Sequence, residues 1–219
     1  MGGLSGLTQG QFAAILAHEY GHFSNRDTAG GDLAHQVYAS LNSMAYQLIR
    51  SGSAKFYNPV WLFILGYQRI FLRVTLGASR LQEVLADRYA AAAYGSANFI
   101  EGLKTYIRQS IAFPLLADSE LKAAFEANRL IANLYDLPMR ADLEEALDLK
   151  YEEAMTRMTS KYDSHPAPQE RIRLVENLHI PDPPVDENIS QALGLFRNPE
   201  QLQEEMTAEI NRLVIKKGK

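Results

Sequence analysis

The sequence contains no cysteine, and this absence limits the chemistry that its side chains can perform. Without thiols the protein has no disulfides, no thiolate zinc site and no cysteine nucleophile. Any metal ion that it binds must therefore be held by histidine and carboxylate side chains. The absence leaves the compartment open, because cysteine-free proteins occur in reducing and in oxidising surroundings.

A large excess of charge of one sign is also missing. The 219 residues include 22 Lys and Arg and 26 Asp and Glu, which gives a formal net charge of −4. No basic run is present, so the sequence predicts no nucleic-acid partner. Hydrophobic residues make up 47% of the chain, which is enough to fill the core of one sizeable domain or two small ones.

Long uncharged apolar runs are scarce, and the N-terminus lacks the charged start and apolar stretch of a signal peptide. The one candidate membrane segment is 56–77. Its uncharged part, 56–68, has 13 residues, fewer than the roughly 20 that a spanning helix needs. Arg69 and Arg73 interrupt the rest of the segment. We expect an interfacial or tilted helix here, and a helix buried in a soluble domain is the alternative.

The rest of the pattern is helical, without a convincing pair of strands or an internal repeat. Thr8 and Gln11 form a capping box, which predicts a helix from Thr8 to about residue 25. Because 12–17 is apolar on every face, we expect this helix to be buried all round. Capping and breaking residues, with Pro114 read as an interruption, predict further helices over 28–50, 78–94, 96–110, 118–133, 140–158, from about 168, and 198–216. The sequence therefore predicts a mainly α fold with little or no sheet.

The first helix carries His18, Glu19 and His22 in an HExxH pattern. Histidines four residues apart lie on one face of a helix, so both imidazoles can reach one tetrahedral zinc ion. Glu19 lies about 100° round the helix, where it can take a proton from a water on the metal. Two histidines that only satisfy each other in the core are the alternative, but such groups are costly to bury beside an apolar run.

A catalytic zinc ion needs a third protein ligand and a position left for water. Glu83 is the best candidate, because it lies on a predicted helix in apolar surroundings. Asp87 follows one turn later on the same face, where it can accept a hydrogen bond from a zinc-bound imidazole and orient that ring. Taken alone, the two carboxylates would be interpreted as a solvated pair. With HExxH upstream, the sequence predicts one zinc ion per chain, held by His18, His22 and Glu83.

Three segments together resemble the signatures of the M48 peptidases, a family that includes the CAAX prenyl proteases and the HtpX-type membrane proteases. They are HEYGHFSNRD at 18–27, EVLAD at 83–87 and SHPAPQERI at 164–172. The likeness extends over about residues 7–178. It implies a zincin-type architecture of the gluzincin class, with two histidines and one glutamate on zinc and Glu19 as general base.

The same resemblance implies roles for residues that spacing alone does not single out. It places His165 near the active site to stabilise the oxyanion, whereas a lone histidine before proline would otherwise be interpreted as a solvated turn residue. It gives Arg171 a supporting role, and either cation could stabilise negative charge near the metal. Asp27 matches the first segment, so we expect it to tie down the end of the zinc helix; an exposed carboxylate that ends the helix is the alternative.

These observations predict a zinc-dependent endopeptidase that acts on protein or peptide substrates. We expect the catalytic domain over 1–179, followed over 180–219 by a Pro-rich linker and an amphipathic helix that packs on it. Two alternatives remain open at this point: a catalytically silent, zinc-bound scaffold or regulatory domain of a membrane assembly, and a helical interaction module without metal.

The resemblance also bears on the membrane. Members of the family carry membrane segments and a substrate-pairing strand before HExxH, whereas seven residues precede Thr8 here. We therefore expect a fragment, or a sequence that begins late. The resemblance implies that the complete protein is membrane-associated through 56–77 and an N-terminal region, with its catalytic site in the cytoplasm.

Overall fold

The computed structural model describes residues 2–24, 27–160, 163–183 and 190–217, and the side chains of these residues except those within 23–35 and 214–217. In this part of the chain we label seven α-helices: α1 (Gln9–Ser24), α2 (Asp27–Arg50), α3 (Pro59–Tyr94), α4 (Ser96–Glu126), α5 (Ala141–Thr156), α6 (Pro168–Glu176) and α7 (Pro199–Lys217). The same residues contain no strand, and an isolated antiparallel bridge joins Thr8 to Gln191. The expectation of a mainly α fold is confirmed.

The start of α1 follows the predicted capping box. The Gln11 backbone N–H donates to Thr8 Oγ1 at 3.2 Å, and the Thr8 N–H donates to Gln11 Oε1 at 3.1 Å. Two amide donors that the first helical turn leaves free are satisfied in this way. The capping box therefore fixes the point at which the helix bearing His18 and His22 begins.

The expectation that α1 is buried all round is wrong. Ala14 is buried, but Leu16 is 50% and Tyr20 is 64% exposed. The helix packs against α3 and α4 on one side, and no described element covers the side that carries Leu16 and Tyr20. An apolar run alone therefore did not reveal how many faces of the helix have packing partners.

Small residues let α1 approach its two neighbours closely. A Cβ atom on Gly21 would lie 3.1 Å from Ala86 Cα on α3, and one on Gly102 of α4 would lie 3.1 Å from the Gln11 carbonyl oxygen. Both distances are tighter than ordinary van der Waals contact. Because Gly21 and Gly102 have no side chain, α1 packs closely against both α3 and α4.

Helices α3 and α4 are each longer than the sequence predicts. The apolar segment that begins at Pro59 continues into the segment 78–94, and together they form the 36 residues of α3. The Asn58 side chain caps this helix by accepting from the Val60 and Trp61 amides. Capping therefore explains the beginning of α3, whereas Gly77, at the predicted boundary near Ala78, does not end the helix.

The expectation that Pro114 interrupts a helix is also wrong, because α4 runs through it from Ser96 to Glu126. Proline removes one backbone donor and kinks a helix, but packing on both sides can hold the helix together. Here Ala112 and Ala117 are buried, and the Phe113 ring stacks on Tyr135 at 5.4 Å.

The first half of α3 is largely exposed, which makes the alternative of a buried helix at 56–77 wrong for the described chain. Phe63, Ile70 and Val74 are about two-thirds exposed, at 66%, 65% and 66%. By length and composition α3 could cross a membrane; its most apolar stretch has a mean hydropathy of 1.2, with 6% of that stretch buried. The second half of α3 is packed in the body of the protein, where Ala86, Ala90 and Ala91 are buried.

The main core lies where α1, α3, α4 and α6 meet. Its buried members are Ala14, Ala90, Ala91, Phe99, Ile100, Leu103, Ile172 and Val175. A smaller cluster forms where α7 covers the segment that follows α4: the Leu134 amide donates to Thr207 Oγ1 at 3.0 Å, and the Ile131 amide donates to Asn211 Oδ1 at 3.2 Å. The predicted site residues of α1, α3 and α6 therefore lie beside the main core.

Candidate metal centre

The three predicted ligands meet where α1 crosses α3. His18 Nε2 lies 3.2 Å from His22 Nε2 and 3.6 Å from Glu83 Oε2, and His22 Nε2 lies 3.4 Å from Glu83 Oε1. One ligand atom from each residue can be chosen so that all of them lie within 4.8 Å of one another. Tetrahedral zinc bonds of 2.0–2.1 Å would separate two ligand atoms by about 3.3–3.4 Å. The donor set and its spacing therefore fit one zinc ion.

Burial strengthens this fit. His18 is 8% and Glu83 is 5% exposed, while His22 is partly buried. An ionised carboxylate is expensive to remove from water unless a positive charge or several donors compensate it. A divalent cation between the carboxylate and two neutral imidazoles would supply that compensation.

Asp87 lies behind the predicted ligands and orients the ring of His18. Its Oδ1 is 2.9 Å from His18 Nδ1, and the residue is 1% exposed. An ionised carboxylate can only accept, so His18 carries its proton on Nδ1 and directs the lone pair of Nε2 toward Glu83 and His22. The contact that the sequence predicts for Asp87 is therefore present.

Arg171, on α6, also contacts Asp87 and Glu83. Its Nε donates to Asp87 Oδ2 at 2.8 Å, and its Nη2 donates to Asp87 Oδ1. A third nitrogen, Nη1, lies 3.7 Å from Glu83 Oε2, and the guanidinium carbon lies 5.8 Å from the centre of the Phe99 ring. This bidentate pairing fixes both the Asp87 carboxylate and the guanidinium plane.

Burial raises the pKa of Asp87, but the hydrogen bonds and charges of Arg171 and His18 outweigh it and hold that pKa below its ordinary value. Burial lowers the pKa of Arg171, yet its pairing with Asp87 leaves the pKa raised. Both groups are therefore charged, and their charges cancel. Among these buried groups, the Glu83 carboxylate is the one that faces both His18 and His22.

Glu19 occupies the open side of the centre. It is exposed, and with His18 and Arg171 it lines a pocket of about 140 Å³. The HExxH spacing predicts this arrangement, because Glu19 follows His18 by one residue and turns away from the ligand row. A carboxylate at this opening is accessible to water and to a substrate.

His165 lies at the rim of the centre, in the loop before α6. Its Nδ1 is 2.8 Å from Glu83 Oε1, and its side chain is 64% exposed. The structure thus brings His165 to the ligands, as the resemblance implied. In the described part of the chain, no contact buries the exposed part of the His165 ring.

Sequence reasoning missed Arg80, which anchors the loop that carries His165. Arg80 Nη1 donates to the Asp163 carbonyl oxygen at 2.9 Å, and within the loop the Ala167 amide donates to Thr159 Oγ1 at 2.7 Å. Arg80 precedes Glu83 by three residues, so both lie on one face of α3. That spacing places Arg80 near the centre, but it does not predict the contact with the loop.

Asp27 is the predicted site residue that the structure does not place. Helix α2 begins at Asp27, but its side chain falls outside the described residues. Its expected role at the end of the zinc helix stays a prediction.

Comparisons with known proteins agree with this geometry. The model of peptidase family M48 matches residues 3–179, a range that includes the three predicted ligands and all three signature segments. The chain is also similar to a protein named Protease HtpX homolog, from Thermoplasma volcanium, with 25% identity over 177 residues, or 78% of this chain and 54% of that relative. The chain thus spans about half the length of this curated relative, and no solved structure matches it. Because the family match covers most of the chain and every predicted ligand, the chain belongs to peptidase family M48.

Proposed function

We propose that this protein is a zinc-dependent endopeptidase that hydrolyses peptide bonds in protein or peptide substrates. The observation that carries the proposal is the convergence of His18, His22 and Glu83, whose ligand atoms lie within 4.8 Å of one another, beside the exposed carboxylate of Glu19. Membership of a peptidase family supports hydrolysis of peptide bonds as the reaction.

A zinc ion held by these three residues would acidify a water molecule and polarise the carbonyl of the scissile bond. Glu19 accepts the proton of the attacking water and passes it to the leaving amine as the bond breaks. Its exposure at the opening of the pocket suits this role, because the carboxylate must reach both water and substrate. Asp87 and Arg171 do not move protons; they hold His18 in the tautomer and orientation that a ligand needs.

We assign His165 the stabilisation of negative charge on the carbonyl oxygen during the reaction. Its ring lies beside Glu83 and is 64% exposed, so a substrate can reach it. A hydrogen-bond donor at such a place is worth about a hundredfold or more in rate. Arg171 is paired with Asp87 through two hydrogen bonds, so its part is to hold that carboxylate, and through it His18, in place.

The proposal is tested with the Glu19→Gln variant. We expect this protein to bind one zinc ion per chain, as the wild type does, and to hydrolyse unfolded casein about 10²–10⁴ times more slowly, because it lacks the general base. Glu145→Gln is the matched control, since Glu145 is exposed on α5 away from the centre, and it should keep wild-type activity.

Two outcomes would overturn the proposal. Full activity in Glu19→Gln would remove Glu19 as the base. A zinc-loaded wild type that cleaves no unfolded protein would favour a catalytically silent, zinc-bound scaffold instead.

We also propose that the protein contacts a membrane through 56–77. Phe63, Ile70 and Val74 are exposed along this part of α3. In soluble proteins, large apolar side chains of this kind usually pack against a neighbouring element. Phe56 and Tyr57, at 85% and 66% exposed, continue the apolar surface before the helix begins. An apolar surface of this kind is stabilised by lipid.

A further inference from the structure

His165 lies at the metal centre without the packing that holds the other groups there. Its side chain is 64% exposed, and within the described ranges its ring has a polar contact with Glu83 alone. A residue that precedes proline is restricted to extended backbone, and here Pro166 follows. The position of the His165 ring therefore depends on the backbone turn that leads into α6, in which Pro166 and Ala167 are buried.

The beginning of α6 has no side-chain cap within the helix itself. Ala167 occupies the N-cap position, where alanine offers no side-chain oxygen to the first amides. Glu170 stands three residues later, at the position from which the glutamate of a capping box reaches back to the amide of the N-cap residue. Half of a capping box is therefore present in α6, and the hydroxyl that normally accompanies it is absent from residue 167.

Thr159, in the loop before His165, supplies a hydroxyl at this place. Its Oγ1 accepts a hydrogen bond from the Ala167 amide at 2.7 Å and donates one to Glu170 Oε2 at 2.6 Å. One hydroxyl group can do both at once, and a bond to a carboxylate is of the stronger kind. The hydroxyl thus lies between the two partners that a capping box joins directly. A residue eight positions before Ala167 therefore completes the cap of α6.

This cap lies between two groups of the metal centre. His165 precedes Ala167 by two residues, and Arg171 directly follows Glu170. Arg171 is also held by its two hydrogen bonds to Asp87, whereas the His165 ring is mostly exposed. Loss of the cap would therefore displace His165 more than Arg171.

We propose that Thr159 is a positioning residue, whose hydroxyl completes the cap of α6 and thereby holds His165 beside the metal centre. This role rests on the proposed function, in which His165 stabilises negative charge on the carbonyl oxygen of the substrate. Among the described residues, Thr159 makes its hydrogen bonds to Ala167 and Glu170 and none to a predicted zinc ligand. Its effect therefore falls on the rate of the chemical step and not on the binding of zinc or substrate.

Hydrogen exchange of the Ala167 amide tests the cap without turnover. Thr159→Val keeps the shape of the side chain and removes the hydroxyl. We expect the Ala167 amide to exchange about five to ten times faster in this variant than in the wild type, as the loss of one hydrogen bond predicts. Thr159→Ser keeps the hydroxyl and should exchange at the wild-type rate. An unchanged exchange rate in Thr159→Val, followed by NMR, would overturn the proposal.

Kinetics connect the cap to the proposed reaction. On a peptide that the zinc-loaded wild type cleaves, we expect kcat of Thr159→Val to fall about 10–100-fold, because a small displacement of a positioned group costs that much. KM and zinc content should stay near the wild type, and Thr159→Ser should restore most of kcat. Thr156→Val is the matched control, since the Thr156 hydroxyl bonds to the Glu152 carbonyl oxygen within α5. Equal kcat in the two valine variants would contradict the positioning role.

Glu170→Ala tests the same role if Thr159→Val does not fold. Glu170 is exposed, so its truncation leaves the core intact, but the Thr159 hydroxyl loses its acceptor. We expect kcat to fall about threefold or more at unchanged KM, since a hydrogen bond to a charged group contributes more than a neutral one. Glu176→Ala removes another exposed carboxylate from α6 and should keep wild-type kcat. If both variants have the same kcat, Glu170 and the Thr159 hydroxyl do not position His165.

These measurements separate the role of Thr159 from the proposed function. If the zinc-loaded wild type cleaves no peptide, the endopeptidase proposal fails, and the exchange rate of the Ala167 amide still decides whether Thr159 completes the cap. If the wild type is active and Thr159→Val has the same kcat, the positioning role is wrong and the endopeptidase proposal stands. A Thr159→Val protein that loses zinc in proportion to kcat would also overturn the role, because Thr159 would then support the whole centre and not His165.

Discussion

Asp87 contacts both Arg171 and His18 in the metal centre. On one side it accepts two hydrogen bonds from Arg171, and on the other it lies 2.9 Å from His18 Nδ1. The pKa of Asp87 lies below its ordinary value because these partners outweigh the effect of burial. A single buried carboxylate therefore orients the imidazole of His18, a proposed zinc ligand, through Nδ1, the ring nitrogen that does not face Glu83.

The first residue-scale prediction concerns Asp87→Asn. We expect the zinc dissociation constant to rise about 10–100-fold, because the amide supports the His18 ring less strongly than a carboxylate does. The metal-free protein should also unfold at a lower temperature, since Arg171 loses its buried counter-charge. Zinc titration with a competing chelator and calorimetry measure the two effects.

Asp148→Asn is the control for Asp87→Asn. Asp148 pairs with Arg108 at 2.8 Å, but both side chains are exposed, and such pairs contribute about 1 kcal/mol or less. Zinc affinity and melting temperature should both stay near the wild-type values. Equal zinc affinity in Asp87→Asn and Asp148→Asn would show that Asp87 does not support the ligand.

The second residue-scale prediction concerns Arg80→Gln. Loss of the hydrogen bond to the Asp163 carbonyl should loosen the loop that carries His165. We expect kcat on a peptide substrate to fall about tenfold while zinc content and KM stay close to the wild type. Arg108→Gln, which breaks an exposed ion pair, should leave kcat unchanged. A fall of zinc content in Arg80→Gln, with no separate loss of kcat, would contradict a role through His165.

At the residue scale, the sequence predicts which side chains lie close together when they belong to the same helix. The spacing of His18 and His22, and that of Glu83 and Asp87, directly predicts which groups share a face. Arg80 was missed because its partner lies 83 residues away in a loop. No periodicity in α3 predicts a contact with the backbone of such a loop.

At the scale of helices, the crossing of α1 and α3 sets the separation of the ligands. Gly21 lies one residue before His22, and Ala86 lies one residue before Asp87, so this close approach of the two helices lies beside the metal centre. A Cβ atom at Gly21 would lie 3.2 Å from Ala86 Cβ. Small residues at this crossing therefore do more than fill the core: they bring the two imidazoles within reach of Glu83.

Gly21→Ala provides the element-scale prediction. The added methyl group should push α1 away from α3 by a few tenths of an ångström, because Ala86 presents backbone as well as its side chain. We expect zinc affinity to fall about tenfold, even though alanine favours a helix by about 1 kcal/mol over glycine. Zinc titration and thermal unfolding together separate the two effects.

Gly77→Ala is the matched control for that change. Gly77 is also helical, and an added Cβ would meet no atom within 4 Å. This variant should keep zinc affinity and gain up to about 1 kcal/mol in unfolding free energy. If Gly21→Ala behaves like Gly77→Ala, the close approach is unnecessary for metal binding.

Helix boundaries show why part of the architecture could not be predicted. The capping residues Thr8 and Asn58 act locally, and each begins a helix, as the sequence predicts for Thr8. Pro114 acts locally too, but the stacking of Phe113 on Tyr135 lies outside its own helix. A local signal was therefore correct where local energy decided the outcome and wrong where tertiary packing did.

At the scale of the whole molecule, α3 divides into two halves with different surroundings. Its second half contributes Glu83 and Asp87 to the core, whereas its first half exposes Phe63 and Ile70. The exposed half should bind lipid. We predict that the wild type floats with vesicles of phosphatidylcholine and phosphatidylglycerol in a density gradient.

The double variant Phe63→Gln with Ile70→Gln should reduce that partition at least about tenfold, since each apolar side chain contributes roughly 1.5–3 kcal/mol when fully buried. Phe125→Gln with Leu149→Gln is the control, because these residues are 73% and 67% exposed on other helices. Equal losses in the two double variants would show that lipid contacts no particular part of the surface.

The continuity of α3 has a consequence for which bonds can be cut. A 36-residue helix is about 54 Å long, and Val74 and Glu83 are about 14 Å apart along it. If lipid holds the first half of α3, the helix is a rigid spacer between the lipid and the metal centre, because bending it would break backbone hydrogen bonds. The height of the proposed metal centre above the bilayer would then be fixed, and on the proposed function a membrane-anchored substrate would be cut at a set distance from the lipid.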